Sequence, residues 1–404
     1  MGRKSTEVQA NQITPPLPPP VSRRDFLAGA AACAVIGPTL LRAAVRPPDG
    51  QSILHVASHN GFVHTYALTS GDCTLLGATA VDSCVALAPH PLLPVLYLAR
   101  DCQQWEDLPR GVIETYAVER DLRPLRRIAR TPMALSATGP RSLAISSCGR
   151  HLLVSASTGG AWNAFALDRN GIPAGVAIAR KETGTMLPSH TVSLPTPHGL
   201  AFSPHASFAI GTDPASGHMT LLQPSPEEIA ALARCPAPYG LTRSSPVWTS
   251  DGRYVIAANA RNASLSVYEM QFVSGDGSNA NVHPPGIHLL GTSTTPTATP
   301  VTTLAAHPSQ PGVFTSRLQD SGSRLELWKV HGSDLRLADD TWVSGHVTAL
   351  AEHAGALWAA SQDRLIRIPI ENLRSANTLE VPMPMRGVHT IVTQTLAGRQ
   401  FNTV

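Results

Sequence analysis

The chain contains a short strand-like segment that recurs seven times and ends each time in an aromatic or aliphatic residue. The copies are residues 63–66, 113–116, 162–165, 219–222, 265–268, 325–328 and 365–368. Their last residues are 50, 49, 57, 46, 60 and 40 positions apart. A period near 50 is typical of the blades of β-propellers and is longer than most helical repeats. Seven copies therefore predict an all-β fold, a seven-bladed β-propeller.

Each repeat combines alternating apolar strands with tight turns. The turns Ser147-Cys148-Gly149-Arg150 and Ser250-Asp251-Gly252-Arg253 place glycine where a hairpin needs a positive φ. The first repeat, residues 53–68, has no inner strand before it, whereas residues 388–392 form a strand-like segment at the other end. Since a ring must join its two ends, we expect these segments to complete one blade.

One segment departs from the strand pattern. Residues 225–234 begin with Ser225 and Pro226 and continue in good helix formers, which predicts a helix in an excursion between blades. Two further excursions are expected, a Ser/Gly/Asn-rich loop over 274–283 and a Thr/Pro run over 292–300.

The segment before the repeats is typical of an export signal. Residues 1–21 form a proline-rich leader that we expect to be disordered, and residues 22–44 form a twin-arginine signal segment. The run Ser22-Arg23-Arg24-Asp25-Phe26-Leu27 resembles the S-R-R-x-F-L consensus, so the twin-arginine export machinery is an expected partner and the periplasm the expected location. A membrane anchor is the alternative, although the apolar stretch is shorter than the roughly 20 residues of a spanning helix. Cleavage, retention as a tether, and lipidation at Cys33 all stay open.

The charge and the cysteines narrow the class of the remaining domain, residues 45–404. The formal net charge is +3, and residues 1–44 carry five basic and two acidic residues, so the rest of the chain is neutral. A nucleic-acid partner is therefore not expected. Cys73, Cys84, Cys102, Cys148 and Cys235 are odd in number without a C-x-x-C spacing, so buried thiols and a disulfide stay open. We expect no metal, no cofactor and a monomer.

Several motifs resemble the seven-bladed lactonase family, which includes the propeller-type 6-phosphogluconolactonases and the carboxymuconate lactonizing enzymes. They are residues 141–145, 149–154, 197–204 and 249–269, and the resemblance covers residues 53–370. It implies lactone hydrolysis without a metal, at the mouth of a central channel. The residues implied are a histidine, a glutamate and arginines from successive blades.

The family's residues fall on this chain only in part. The histidine corresponds to His198 and one arginine to Arg317, whereas a second arginine corresponds to Ser244, next to Arg243. Ala260, after Asn259, replaces the family's catalytic glutamate, and Ser142 stands where a histidine is expected. Asp213 is the one carboxylate at a comparable strand end, either a substitute acid or a turn cap.

Two functions follow from this pattern. The first is an exported hydrolase of a sugar or carboxylic-acid lactone, with His198 as base, Arg317 on the carbonyl or an acidic substituent, and Asp213 assisting. Arg243, Ser244 and Asn259 would bind the substrate. The second is a non-catalytic propeller that binds a small polar ligand or a protein partner. Export favours a substrate other than the family's phosphorylated sugar lactones, because those are cytoplasmic metabolites.

Overall fold

The chain folds into seven four-stranded antiparallel sheets arranged as the blades of a ring. The computed structural model describes residues 51–69, 72–119, 125–182, 185–186, 192–271, 285–293, 299–361, 363–374, 378–383 and 387–396. These residues form thirty strands and no helix, which confirms the predicted seven-bladed β-propeller. The predictions for the leader, the twin-arginine segment and the 274–283 loop lie outside the described residues.

In blades 2 to 7 the strands follow one another in chain order from the centre of the blade to its rim, whereas in blade 1 the last strand of the chain is innermost. Blade 1 contains β1 (Gln51–Ser58), β2 (Phe62–Leu68), β3 (Cys73–Ala80) and β30 (Val388–Leu396). Blade 2 contains β4 (Cys84–Pro89), β5 (Val95–Arg100), β6 (Val112–Ala117) and β7 (Arg126–Pro132). Blade 3 contains β8 (Thr138–Ile145), β9 (His151–Thr158), β10 (Ala161–Leu167) and β11 (Pro173–Lys181), followed by a small hairpin of β12 (Thr185–Met186) and β13 (Val192–Ser193).

The other four blades repeat this order. Blade 4 contains β14 (Leu200–Phe202), β15 (Ala209–Asp213), β16 (His218–Pro224) and β17 (Ile229–Pro236). Blade 5 contains β18 (Val247–Trp248), β19 (Tyr254–Ala258), β20 (Leu265–Gln271) and β21 (Gly286–Ser293). Blade 6 contains β22 (Val301–Ala306), β23 (Gly312–Gln319), β24 (Gly322–His331) and β25 (Asp334–Ser344). Blade 7 contains β26 (Ala349–His353), β27 (Ala356–Ala360), β28 (Arg364–Pro369) and β29 (Leu379–Pro382).

Blade 1 is completed by the two ends of the propeller domain, as the sequence predicts. The strand order is β3-β2-β1-β30, and β30 pairs antiparallel with β1 through Leu54 with Thr393 and Val56 with Ile391. The Gln394 amide also donates a 2.8 Å hydrogen bond to the Leu93 carbonyl of blade 2. Strand β30 therefore closes the ring, because it pairs with β1 in blade 1 and also forms a hydrogen bond to blade 2.

The apolar core consists of seven clusters, and each cluster joins two adjacent blades. Between blades 1 and 7, for example, Leu54 and Tyr66 pack with Trp358 and Leu365. An isolated blade would leave the apolar side chains on both faces of its sheet exposed to water. Each sheet therefore needs both neighbouring blades to bury these side chains. The ring is therefore the smallest unit that covers every sheet.

The antiparallel order gives the propeller two distinct faces. Each inner strand begins at one face, which also carries the loops between blades and the loops between second and third strands. We call it the mouth face. The opposite face carries the turns after the first and third strands, including those of Gly149 and Gly252, whose φ values of +70° and +68° match the predicted hairpins.

The helix predicted over 225–234 is wrong. Ile229–Pro236 forms β17, which pairs with β16 as the outer strand of blade 4. The Ser225 hydroxyl accepts hydrogen bonds from the Glu227 and Glu228 amides, so it caps the turn before this strand and not a helix. The unpaired edge of β16 needs a hydrogen-bonding partner, and this requirement overrides the local helix propensity.

Two further expectations concern the membrane and the thiols. The described part of the chain has no helix long and apolar enough to cross a membrane. Cys73, Cys84, Cys102, Cys148 and Cys235 are all free, and the first two and the last are buried. Unpaired thiols are therefore the alternative that the structure supports.

Candidate functional site

The axis of the ring encloses a cavity of about 530 Å³, which we call the channel. It is lined by inner-strand segments, or the residues just before them, from all seven blades. They are residues 85–87, 141–143, 198 and 200, 243–245, 302–304, 348–350 and 389–392, and His59 adds to them from the mouth face. The channel is the one place where all blades can contribute side chains to one ligand.

A second cavity of about 570 Å³, the mouth recess, lies beside the channel at the mouth face. Ser157, Thr196, Pro214 and Ala215 line it together with three residues that also line the channel. The shared residues are Arg141, His198 and Arg243, which we call the cationic cluster. A ligand in either cavity would therefore contact the same three polar side chains.

The backbone around His198 is fixed by two blades. Its amide donates to the Thr212 carbonyl at 2.8 Å, and its carbonyl accepts from the Ser155 hydroxyl of blade 3 at 2.5 Å. The next residue must be small, because a Cβ on Gly199 would lie 2.6 Å from the Thr212 hydroxyl and 2.8 Å from the Ser245 Cα. Blades 4 and 5 therefore meet closely beside His198, and its position is rigid.

The environment of His198 keeps its imidazole neutral. Burial, and to a lesser degree the nearby positive charges of Arg141 and Arg243, lower the pKa of His198 to about 4, against a hydrogen bond to the Arg243 backbone that raises it. A histidine with this pKa is unprotonated at neutral pH. It can therefore accept a proton from water while both arginines stay charged.

The two arginines differ in how tightly they are held. The Nε of Arg141 donates to the Ser157 hydroxyl at 3.0 Å, and its Nη1 lies 3.5 Å from an Asp101 carboxylate oxygen. Arg243 is exposed, and within the described residues its guanidinium makes no ion pair. Among the residues that the structure describes, no aspartate or glutamate lines either cavity. The cluster therefore suits an anionic group or a developing oxyanion.

Hydroxyl groups link the blades around the cluster. The Ser142 and Ser245 hydroxyls are 3.2 Å apart and connect blade 3 to the segment before blade 5. Ser244 also lines the channel, and its hydroxyl lies 2.6 Å from that of Thr242. These groups can donate to or accept from a polar ligand.

A histidine pair from blade 1 also lines the channel, and the sequence analysis missed it. The rings of His59 and His389 have centroids 4.6 Å apart. Burial lowers the pKa of His389 to about 4, and the adjacent His59 contributes to the shift. His389 lies at the start of the closing strand β30. The predicted position of residues 388–392 as an inner strand was the sequence feature that could have pointed to it.

Arg317 does not reach the channel. It lies on β23, the second strand of blade 6, and is 0% exposed. Its Nε donates to Glu326 at 2.8 Å, and its Nη1 donates to the carbonyls of Ala263 and Thr299 at 2.8 and 2.7 Å. The structure therefore places Arg317 in a structural ion pair, separate from His198, because its strand position turns the side chain into the blade.

Asp213 and Asn259 are also buried within their blades and do not line either cavity. One Asp213 oxygen accepts from the amides of Thr196 and Ala215, both at 3.0 Å. Asp213 is therefore a cap that holds two residues of the mouth recess. The amide of Asn259 donates to the hydroxyls of Ser264 and Ser266, which fixes a loop of blade 5.

The described residues contain no group of three or more His, Cys, Asp or Glu side chains arranged to hold a metal ion. The cationic cluster offers a neutral imidazole and two guanidinium groups that line the same cavities. The fold and the site together define a seven-bladed propeller with a cationic channel mouth.

Solved structures with this fold include proteins described as lactonases. A candidate 6-phosphogluconolactonase from Bacteroides uniformis aligns with a TM-score of 0.67 at 14% identity, covering 86% of this chain and 100% of its own. A periplasmic gluconolactonase from Pseudomonas aeruginosa aligns with a TM-score of 0.66 at 16% identity, covering 85% and 99%. Identities this low show the shared fold alone. No protein-family model and no curated protein sequence matches the chain.

Proposed function

We propose that the protein is a lactone hydrolase whose site is the cationic cluster at the channel mouth. The observation that carries the proposal is that a half-buried His198 lines the same two cavities as the guanidinium groups of Arg141 and Arg243, and that its lowered pKa keeps the imidazole neutral. The shared fold with a periplasmic gluconolactonase and with candidate 6-phosphogluconolactonases supports this reaction class. Export by the twin-arginine route to the periplasm, action on a small-molecule lactone and a monomeric state are parts of the same proposal.

The chemistry follows from the charges of the cluster. Neutral His198 accepts a proton from a water molecule as that water attacks the lactone carbonyl. Arg141 and Arg243 stabilise the oxyanion that forms, because their charges are already in place before the reaction. The protonated imidazole then donates its proton to the departing ring oxygen, which leaves a hydroxy acid whose carboxylate faces the two arginines.

A second candidate function is supported by the same cavity. Ala260 occupies the position of the family's glutamate, and no carboxylate of the described part of the chain lines the channel or the recess. General acid-base groups contribute roughly 10²- to 10⁴-fold to rate, so a cluster without an orienting carboxylate would be a weaker catalyst. The alternative is a propeller that binds an organic anion without turning it over.

The test compares the full-length protein with two histidine variants on a panel of γ- and δ-lactones, with proton release as the readout. His198→Ala is expected to lower kcat/KM by about 10²- to 10⁴-fold. His205→Ala is the matched control, because His205 is exposed in a turn of the opposite face. Wild-type activity should fall as the pH drops through about 4, where His198 gains a proton.

Equal rates for the wild type and His198→Ala would overturn the hydrolase proposal. Calorimetry with the corresponding hydroxy acids distinguishes the second candidate. Binding that Arg243→Ala weakens, without hydrolysis of any lactone, would assign the cluster to anion binding.

A further inference from the structure

The large apolar side chains that are exposed are unevenly distributed between the two faces. Leu108, Leu135, Leu194 and Tyr239 are 41%, 62%, 80% and 41% exposed, and all four lie in loops of the mouth face between blades 2 and 5. Among the described turns of the opposite face, only Leu92 is a large exposed apolar residue. We call the four residues the apolar rim.

Three of the loops that carry the apolar rim, those of Leu108, Leu135 and Leu194, are packed against one another. The Ser136 amide donates to the Pro109 carbonyl at 2.7 Å, which joins the loops of Leu108 and Leu135. A Cβ on Gly159 would lie 1.8 Å from the Ser136 carbonyl oxygen, and one on Gly160 would lie 3.1 Å from Pro195. These close approaches connect the loop of Leu135 to that of Leu194 through blade 3. The rim is therefore a fixed surface.

The rim approaches the mouth recess through the loop of Leu194. Thr196, two residues after Leu194, lines the recess, and Asp213 holds its amide in place. Pro214 and Ala215 add apolar lining beside Thr196. The cationic cluster forms the inner end of this recess. A path from charged to apolar surface thus runs outward from His198.

This arrangement is complementary to one kind of small molecule. The cluster binds a lactone carbonyl or carboxylate, and the adjacent apolar surface would be covered by a hydrocarbon chain. A recess of about 570 Å³ has the size of a small-molecule site. A stable protein partner would instead need a larger surface, because a typical interface covers about 800 Å² on each partner.

We propose that the substrate is an amphiphilic lactone that carries an alkyl chain of several carbons, and that the corresponding hydroxy acid binds in the same way. Its ring or carboxylate contacts Arg141, His198 and Arg243, and its chain lies along the recess towards Leu135 and Leu194. This inference rests on the proposed function for the position of the head group, and it adds the substrate class.

The test is calorimetric binding of two hydroxy-acid anions, 4-hydroxybutanoate and 4-hydroxydecanoate, to the full-length protein. Burial of a few methylenes should make the longer anion bind at least about tenfold more tightly. The double variant Leu135→Ser with Leu194→Ser should lose this preference and keep its affinity for the shorter anion. Leu92→Ser, an exposed leucine on the opposite face, is the matched control and should behave as the wild type.

Equal affinities for the two anions, or the same loss in Leu92→Ser, would overturn the substrate class and leave the rim to another occupant such as a protein. No binding of either anion would overturn it as well. The proposed hydrolysis is judged separately, by the effect of His198→Ala on unsubstituted γ-butyrolactone. A chain-length preference can therefore fail while the hydrolase proposal stands.

Discussion

At the scale of single residues, the buried pair of Arg317 and Glu326 makes the sharpest prediction about stability. Both side chains are fully buried, and the carboxylate also accepts from the Thr315 hydroxyl and the Trp328 indole. Removing the guanidinium in Arg317→Met leaves the buried carboxylate with only the more distant Arg324, at 3.8 Å, as a counter-charge, which costs up to about 3–5 kcal/mol. Urea denaturation should show this loss, and Arg317→Met with Glu326→Met should recover part of it.

The same variant separates a structural role from a role in ligand binding. Arg317→Met is expected to leave the affinity of the folded protein for hydroxy acids unchanged, because Arg317 lines neither cavity. Unchanged stability together with lost binding would contradict the structural assignment.

Residue-level reasoning from sequence located part of the site. His198, Arg243 and Ser244 line the channel, and the motifs place all three just before inner strands. Arg317 was predicted from a motif position and Asp213 from a strand-end position, and neither tells towards which side of a blade a side chain turns. The contribution of Arg141 depends on contacts between blades 2, 3 and 4, and these are absent from any local pattern.

At the scale of the elements, the closing strand β30 makes the second prediction. Truncation after residue 386 removes β30, which exposes the hydrogen-bonding edge of β1 and the cluster that Val388 and Ile391 share with blade 7. We expect the truncated chain to lose cooperative thermal unfolding. Truncation after residue 396 keeps β30 and is the control, measured by the same calorimetric scan. A normal transition in the shorter chain would show that β30 is dispensable.

The strands were more predictable than the connections. All seven repeated segments are third strands of blades, because the repeat reports the same packing requirement seven times. The failed helix over 225–234 has the local propensity of a helix, but the edge of β16 decides its conformation. The small hairpin of β12 and β13 left no clear pattern in the sequence.

At the scale of the whole molecule, buried histidines make the ring sensitive to acid. His55 is fully buried in blade 1 and its pKa is lowered to about 4 by burial, against the side chain of Gln394, which raises it. His389 in the same blade also has a pKa of about 4. The unfolded chain takes up these protons near pH 6.5, so it binds more protons than the folded protein between about pH 6.5 and 4. Stability is therefore full above this window and falls as the pH drops through it.

The prediction is checked by urea midpoints of the wild type and His55→Gln between pH 7 and 4.5. His55→Gln should show a smaller loss of stability on acidification, because one proton-binding difference is removed. His288→Gln changes an exposed histidine and should keep the wild-type pH dependence. An unchanged slope in His55→Gln would assign the acid sensitivity to other groups.

The pairing of β1 with β30 also sets the order of events when the protein is made. The first strand of the propeller leaves the ribosome about 330 residues before its partner, so the ring stays open throughout translation. Blades 2 to 7 can assemble as they are made, whereas blade 1 waits for the last strand. A ribosome that stalls before β30 would thus release a chain with an open seam, which cellular proteases and chaperones can distinguish from a finished molecule.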